Sequence, residues 1–482
     1  MPASAPSERG GLGPSGSGPW GSGGVPREGT VPGRAVSPQA STVIWDPAET
    51  LPRERLDALA VDRLRSTVAR ILHGQPFGAG RLASAGLAAP EDIRSLADLS
   101  GVPFTSKADL RAHYPFGLLA VPREQLVRVH ASSGTHGKPT VVGYTGADLE
   151  NWTELMARCM TMAGVRPGMV IHNANGYGLF TGGLGFHQGG ERIGALVVPA
   201  SGGFTARQAL LLRDLGADVL VSTPSYALAI AQAIAEADGG GGRGGGGGNR
   251  GADGLRLKLG LFGGEPWTEG MREQIERSLG LAAVNFYGLS EMCGPGVAAE
   301  CPARCGLHVQ EDHFAVEVID PRGGQPVPPG TEGELVFTTL TKEALPLLRY
   351  RTGDIGCLAD SPCECGRTTV RLTGLRGRHD DMLIVRGVNV HPSQVEHVLL
   401  GAGGAAPHYR LIVERSGPLD ELTVECEPAG ADPDPDLLRG RLERLLRDHT
   451  GLRITVTLLP PGSIPRSEGK AVRVVDRRGP AD

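Results

Sequence analysis

Lysine is nearly missing from this chain. Of its 48 basic residues only five are lysine, at positions 107, 138, 258, 342 and 470. Where a plain positive charge is enough, arginine is used. A lysine inside a glycine-rich loop therefore points to chemistry that needs a compact ammonium rather than a planar guanidinium. Lys138 and Lys470 stand out on that ground. Long apolar runs are missing too: none reaches the roughly 18 residues of a membrane span. No charged segment followed by an apolar one opens the chain, so no secretory signal is expected and the cytoplasm is. The net charge of −5 is spread along the sequence without a basic run, which excludes a nucleic-acid footprint and a polybasic membrane arm. Eight cysteines in a cytoplasmic protein argue against disulfides. Internal repeats are absent.

What is present is a chain of 482 residues, long enough for two or three domains. Residues 1–40 are Gly, Pro and Ser with few apolar anchors and are expected to be disordered. Apolar residues then recur at helical spacing from Leu56 to Leu72. From 165 to 290, "GMVIHNA", "GALVVPA", "ADVLVST", "LRLKLGLFGG" and "AAVNFYG" read as strands. They alternate with helices in "TARQALLLRDLG", "PSYALAIAQAIAEA" and "WTEGMREQIERSLG", which argues parallel α/β layers. The run from Asp238 to Gly254 reads as a flexible glycine-rich insertion. "FAVEVIDP" and "GELVFTTL" are alternating strands. From 380 a small α+β unit follows: "DMLIVRGVNV" as a strand, "SQVEHVLL" as a helix, two strands, the helix "PDLLRGRLERLLRDHTG" and a last strand. The expected domains are 41–379 and 380–482.

"ASSGTHGKPT", Ala131 to Thr140, has the composition of a phosphate cradle, because glycines let several backbone N–H groups converge on an anion. It is not a Walker loop. Ser132 stands where that motif needs its first glycine, and Pro139 follows Lys138 where it needs a hydroxyl. Alone, the stretch is equally a mobile surface turn.

Further stretches follow in order: "GGEPW" at 263–267, "FYGLSE" at 286–291, "YRTGDI" at 350–355, "GRHDDMLIVRGVNVHPSQVE" at 377–396 and "PRSEGKAVRV" at 465–474. Together they resemble the adenylate-forming superfamily. Within it, "ASSGTHGKPTVVGYT", "GYGLFTGGLG", "TPSYAL", "YGLSEMCGPGV" and "TLTKEALPLLRYRTGD" resemble the phenylacetate–CoA ligases, and the resemblance runs from about 44 to 475. It implies a large α/β adenylating domain of layered sheets and helices with a small mobile α+β C-terminal domain. It implies an enzyme that joins a carboxylate to ATP as an acyl-adenylate and then passes the acyl group to coenzyme A.

The same resemblance implies roles. Ser132, Ser133, Gly134, Thr135, Gly137 and Lys138 would hold the β- and γ-phosphates; His136 stands where the family usually has Thr. Glu291 would hold Mg2+, a hard cation that takes carboxylate and phosphate oxygens. Tyr287 would stack on adenine opposite Gly264, Glu265 and Pro266, a core aromatic being the plain alternative. Asp354 would accept from the ribose hydroxyls, with Arg378 near the ribose and phosphates. Lys470 would neutralise the α-phosphate as two anions meet. Asp380 would be the hinge, and Gly387 would guide coenzyme A. The acyl pocket would lie behind "NGYGLFTGG", with Asn175, Tyr177, Phe180 and Gly288 as its residues. Phenylacetate ligases typically carry Tyr at the place of Asn175, commonly Tyr at that of Gln188 and Trp at that of Gln310. Three aromatics have become amides, by drift or to meet a polar group on the acid. The acid is thus phenylacetate, a substituted aryl acid or a polar relative.

Cys301, His308, Cys363 and Cys365 lie in "CPARCGLH" and "CECG", two knuckles that could make one tetrahedral zinc site. Cys305 or Cys357 are substitutes, and free thiols are the alternative. Some members of the family branch resemble this arrangement and carry a structural zinc. Three other functions stay open: loading the phosphopantetheine of a carrier protein, adenylylating a deazaflavin cofactor, and a non-catalytic binding role. A homodimer also stays open.

Overall fold

The computed structural model describes residues 43–132, 139–239, 254–378, 382–386, 388–416, 419–430 and 434–478. The expected tail, the core of the glycine-rich insertion, Ser133 to Lys138, Asp380 and Gly387 lie outside the described residues.

One mixed sheet of 11 strands organises the larger part of the chain. Its order is Phe314–Ile319, Gly333–Thr339, Tyr350–Ala359, Arg371–Arg378, Leu307–Val309, Gly294–Glu300, Ala282–Leu289, Leu259–Gly263, Val219–Ser222, Val170–Asn173 and Leu196–Val198. The last five strands in that order run parallel. The rest are antiparallel, and Ala282–Leu289 is the strand with a parallel neighbour on one side and an antiparallel one on the other. The strand–helix alternation read from 165 to 290 is therefore the parallel half. The alternating strands after 310 form the antiparallel half.

Local sequence explains the helices that flank the sheet. Gly146–Ala163 begins at a capping box in which the Thr145 hydroxyl accepts from the Asp148 N–H, satisfying a donor that a helix start leaves unpaired. Trp152, Met156, Cys159 and Met160 are fully buried. The neighbouring helix Thr181–Ile193 approaches so closely that a side chain on Gly189 would place its Cβ 2.6 Å from the Met156 Cβ. The glycines of "TGGLGFHQGG" permit this approach, and it fixes the loop that precedes that helix.

The C-terminal part has its own core, including Leu411, Val424, Leu442 and Leu446. Its four-stranded sheet joins Thr455–Leu458, Leu419–Pro428, Ala405–Ser416 and Val474–Asp476. Helix Pro435–Thr450 buries Leu438, Leu442 and Leu446, four residues apart on one face; each such leucine contributes about 1.5–3 kcal/mol. The segment expected as one strand, "DMLIVRGVNV", is a hairpin of Leu383–Val385 and Val388–Val390. Arg386 begins its turn at φ 52°, a conformation that residue type does not announce. No described helix is long and apolar enough to cross a membrane.

Candidate active site

The parallel strands all end at one edge of the sheet, where the chain must turn into loops that expose backbone groups. Asn175, Tyr177 and Phe180 follow Val170–Asn173, Thr223 follows Val219–Ser222, Gly264 to Pro266 follow Leu259–Gly263, and Glu291 follows Ala282–Leu289. Lys470 comes to this edge from the far end of the chain. Its ammonium lies 5.5 Å from the centre of the Phe180 ring, and its Cε lies 3.6 Å from where a Cβ on Gly264 would be. The residue as a whole is exposed, but its head is crowded. Desolvation holds the ammonium below the ordinary lysine value, opposed by Glu265, Asp354 and Glu291 and reinforced by Arg378.

Tyr287 packs one ring face against Phe337, with centroids 6.0 Å apart. Its hydroxyl donates to Asp354 Oδ2 at 2.6 Å. Burial, and then the Asp354 charge, push that phenol well above its usual range. Arg378 stands opposite Asp354 on the neighbouring strand, 3.7 Å from Oδ1, and donates to the Thr352 carbonyl at 2.8 Å. Glu291 is buried and accepts from the Tyr350 hydroxyl at 3.2 Å. Ser132 closes the base of the glycine-rich loop: its N–H donates to the Thr140 carbonyl at 3.0 Å, and its hydroxyl accepts from the Thr140 N–H at 3.3 Å. Pro266 lies 3.4 Å from a Cβ placed on Gly377. A Cβ on Gly288 would sit 1.9 Å from the Gly294 carbonyl oxygen, so the hairpin itself demands glycine there.

The three amides differ. Gln188 accepts from Arg128 at 3.1 Å. Gln310 accepts from Arg158 at 3.0 Å and reaches the Cys159 sulfur, so it belongs to the core beside that helix and not to a substrate wall. The Asn175 side chain is buried beside Gly182 and Phe180, and no hydrogen bond to its amide occurs among the described residues. Tyr177 is held by Asn173 at 2.9 Å and by His187 at 3.2 Å, and burial raises its phenol to about 12.

Cys301, His308, Cys363 and Cys365 bring their ligand atoms within 4.8 Å of one another. A tetrahedral zinc with bonds of about 2.3 Å to sulfur and about 2.0 Å to nitrogen needs S···S near 3.8 Å and S···N near 3.5 Å. Cys301 and Cys363 are 3.6 Å apart, and Cys365 and His308 Nε2 3.3 Å. His308 turns its other ring nitrogen to Thr369 at 3.1 Å, the outer contact that orients a ligating imidazole. The donor set and these two edges are compatible with zinc. Cys305 lies 3.4 Å from Cys363 but is exposed. Cys357 is no substitute, because it points to Thr373, 3.0 Å away.

Sequence reasoning passed over two residues here. Lys342 is 3% exposed. It donates to the carbonyls of Glu291 and Met292 and lies 4.4 Å from the Tyr144 ring centre, so it braces the turn that carries Glu291. Thr223 donates to the Gly469 carbonyl at 2.9 Å. The scarcity of lysine was the one signal for Lys342; Thr223 opens the family-like stretch "TPSYAL", which carries no sign of a role for it.

The model of the AMP-binding enzyme family matches residues 118–340, and that of the AMP-binding enzyme C-terminal domain residues 387–478. The phenylacetate-coenzyme A ligase of Thermus thermophilus is 50% identical over 451 residues, covering 89% of this chain and 98% of that protein. The enzyme of the same name from Escherichia coli is 46% identical, covering 90% and 97%. A crystal structure of 2-hydroxyisobutyryl-CoA ligase in the postadenylation state, with an acyl-AMP, superposes with a TM-score of 0.82 at 30% identity, covering 91% of this chain and 93% of that one. The same ligase with coenzyme A in the thioesterification state gives 0.64, with coverage of 89% and 91%.

Proposed function

Because the chain belongs to the phenylacetate–coenzyme A ligase family of AMP-binding enzymes, and so is an AMP-forming ligase that joins an acid to coenzyme A through an acyl-adenylate, we propose that an aryl or arylacetic acid is activated where Lys470 meets Gly264 and Phe180. The observation that carries this reading is the convergence itself. Residues from loops at one sheet edge converge on a lysine about two hundred positions further on.

In the first half-reaction an oxygen of the acid attacks the α-phosphorus of ATP. The bond to the β-phosphate oxygen breaks, and pyrophosphate leaves with that electron pair. Lys470 neutralises the charge that builds at the α-phosphate. Asp354 takes the ribose hydroxyls, and Arg378 stands beside them. Ser132 and the loop from Ser133 to Lys138 take the outgoing phosphates. Glu291 would hold Mg2+, which supplies charge neutralisation between the phosphates. In the second half-reaction the thiolate of coenzyme A attacks the acyl carbon and AMP departs. Asp380 would serve as the hinge between the halves, and Gly387 would guide coenzyme A. The drop from 0.82 to 0.64 between two states of one relative supports such a rearrangement. Zinc at Cys301, His308, Cys363 and Cys365 would act as a cross-link of the fold.

ATP–pyrophosphate exchange over a panel of aryl acids, followed by mass detection of the coenzyme A thioester, tests this reading. Exchange with no thioester would move the acceptor to a carrier protein. No exchange with any aryl acid would overturn the assignment.

A further inference from the structure

Glu265 does something that an adenine wall does not require. Both of its carboxylate oxygens are taken by backbone N–H groups from two parts of the chain. Oε1 accepts from Ser225, in the first turn of helix Pro224–Gly239, at 2.7 Å. Oε2 accepts from Ala471, the residue after Lys470, also at 2.7 Å. A carboxylate is well suited to this, since its charge shortens and strengthens both bonds and the start of a helix favours an anion. On the other side of Lys470, the Gly469 carbonyl accepts from the Thr223 hydroxyl at 2.9 Å. That hydroxyl also accepts from the Tyr226 N–H at 3.3 Å, so its proton is left to point at Gly469. Lys470 is thus gripped by its two neighbours: one grip comes from the junction of strand Val219–Ser222 and helix Pro224–Gly239, and the other from Glu265, which is anchored to that junction through Ser225.

We propose that Glu265, with Thr223, is the latch that seats the Lys470 loop for adenylation and lets it go for thioester formation, which makes Glu265 a positioning residue and not a nucleotide contact. The proposal rests on the two-step reading above. Glu265 stays with the larger sheet, held by Ser225, while the Ala471 N–H belongs to the part of the chain that would move. The grip exists only while Lys470 is at the site, and it acts on backbone groups, so it sets where the ammonium stands without touching substrate.

The test uses the full-length enzyme with phenylacetate, or with whichever aryl acid gives the fastest pyrophosphate exchange. Glu265→Gln keeps one acceptor but turns an NH2 against the second N–H; Thr223→Val keeps shape and loses the donor. Both are expected to lower kcat for ATP–pyrophosphate exchange, Glu265→Gln by about tenfold or more, while KM for ATP stays within about threefold. Thioester formation from supplied acyl-adenylate and coenzyme A should fall at least about tenfold less than exchange does. A raised KM for ATP with unchanged kcat would make Glu265 a nucleotide contact and overturn the latch. Equal losses in both half-reactions would overturn it as well. Where Glu265→Gln does not fold, the same comparison with Thr223→Val decides. A wild-type enzyme with no exchange on any aryl acid would instead bring down the two-step reading beneath it.

Discussion

Removing zinc from the Cys301, His308, Cys363 and Cys365 group is expected to cost stability and spare chemistry. Strand Gly294–Glu300 starts beside Leu289, near Glu291, and runs antiparallel to the strand that ends there. Its six steps carry the chain about 20 Å to the opposite edge of the sheet, and Cys301 comes next. Four protein ligands also leave no open position on a tetrahedral metal. With free zinc at a thousand times its dissociation constant, binding stabilises the folded chain by about 4 kcal/mol. Unfolding entropy of about 2.1 cal/mol/K per residue over this length gives about 1 kcal/mol per degree. Chelation, or Cys365→Ser, should therefore lower Tm by about 4 °C, with pyrophosphate exchange per folded molecule unchanged. Elemental analysis should find one zinc per chain, and scanning calorimetry before and after chelation should read the shift. Protein purified without stoichiometric metal would refute this account. So would exchange activity that disappears with the metal while Tm stays fixed.

Lys470→Ala should abolish adenylation, raising that barrier by about 3 kcal/mol or more, roughly a hundredfold, while thioester formation from supplied acyl-adenylate is largely kept; equal loss in both assays would count against its role at the α-phosphate. Because Lys470 must be protonated to act and its ammonium lies below the ordinary lysine value, kcat/KM for exchange should fall as pH rises through that lowered value, and Lys470→Arg should move the fall to higher pH; a profile identical in both enzymes would assign the alkaline limb to another group. Asn175 leads to a substrate prediction. An amide without a partner against a plain ring costs about 1–3 kcal/mol, so a hydroxy- or amino-substituted aryl acid should be used about tenfold better than phenylacetate. Asn175→Tyr should shift the preference back; a wild-type preference for phenylacetate in kcat/KM would show that the amide does not meet the ring.

Much of the parallel half was legible because each strand and helix there is a continuous apolar pattern between glycines. The hairpin at 383–390 was not: its halves are three residues each, shorter than any period can reveal. The cysteine group was legible because each knuckle is local, yet only the direction of the side chain excludes Cys357. Lys342 and Lys470 are the same residue type in a chain that avoids it, but composition cannot tell a lysine bracing a buried turn from one at a cleft. The second bond of Glu265 joins residues 206 apart, and no window of sequence contains such a pair.

The parallel half of the sheet also has a bearing on how such a protein changes its diet. Of the proposed contacts to the acid, Asn175, Tyr177 and Phe180 sit on the loop after Val170–Asn173; Gly264 and Pro266, proposed for the nucleotide, sit on the loop after Leu259–Gly263, and Tyr287 and Gly288 near the end of strand Ala282–Leu289. The strands beneath them are buried and common to both tasks. Mutation can therefore rewrite Asn175 and Tyr177 on the first loop while Phe180, which stands against Lys470 and Gly264, is kept. A lineage could sample new acids one residue at a time while activation by ATP remained intact at every step.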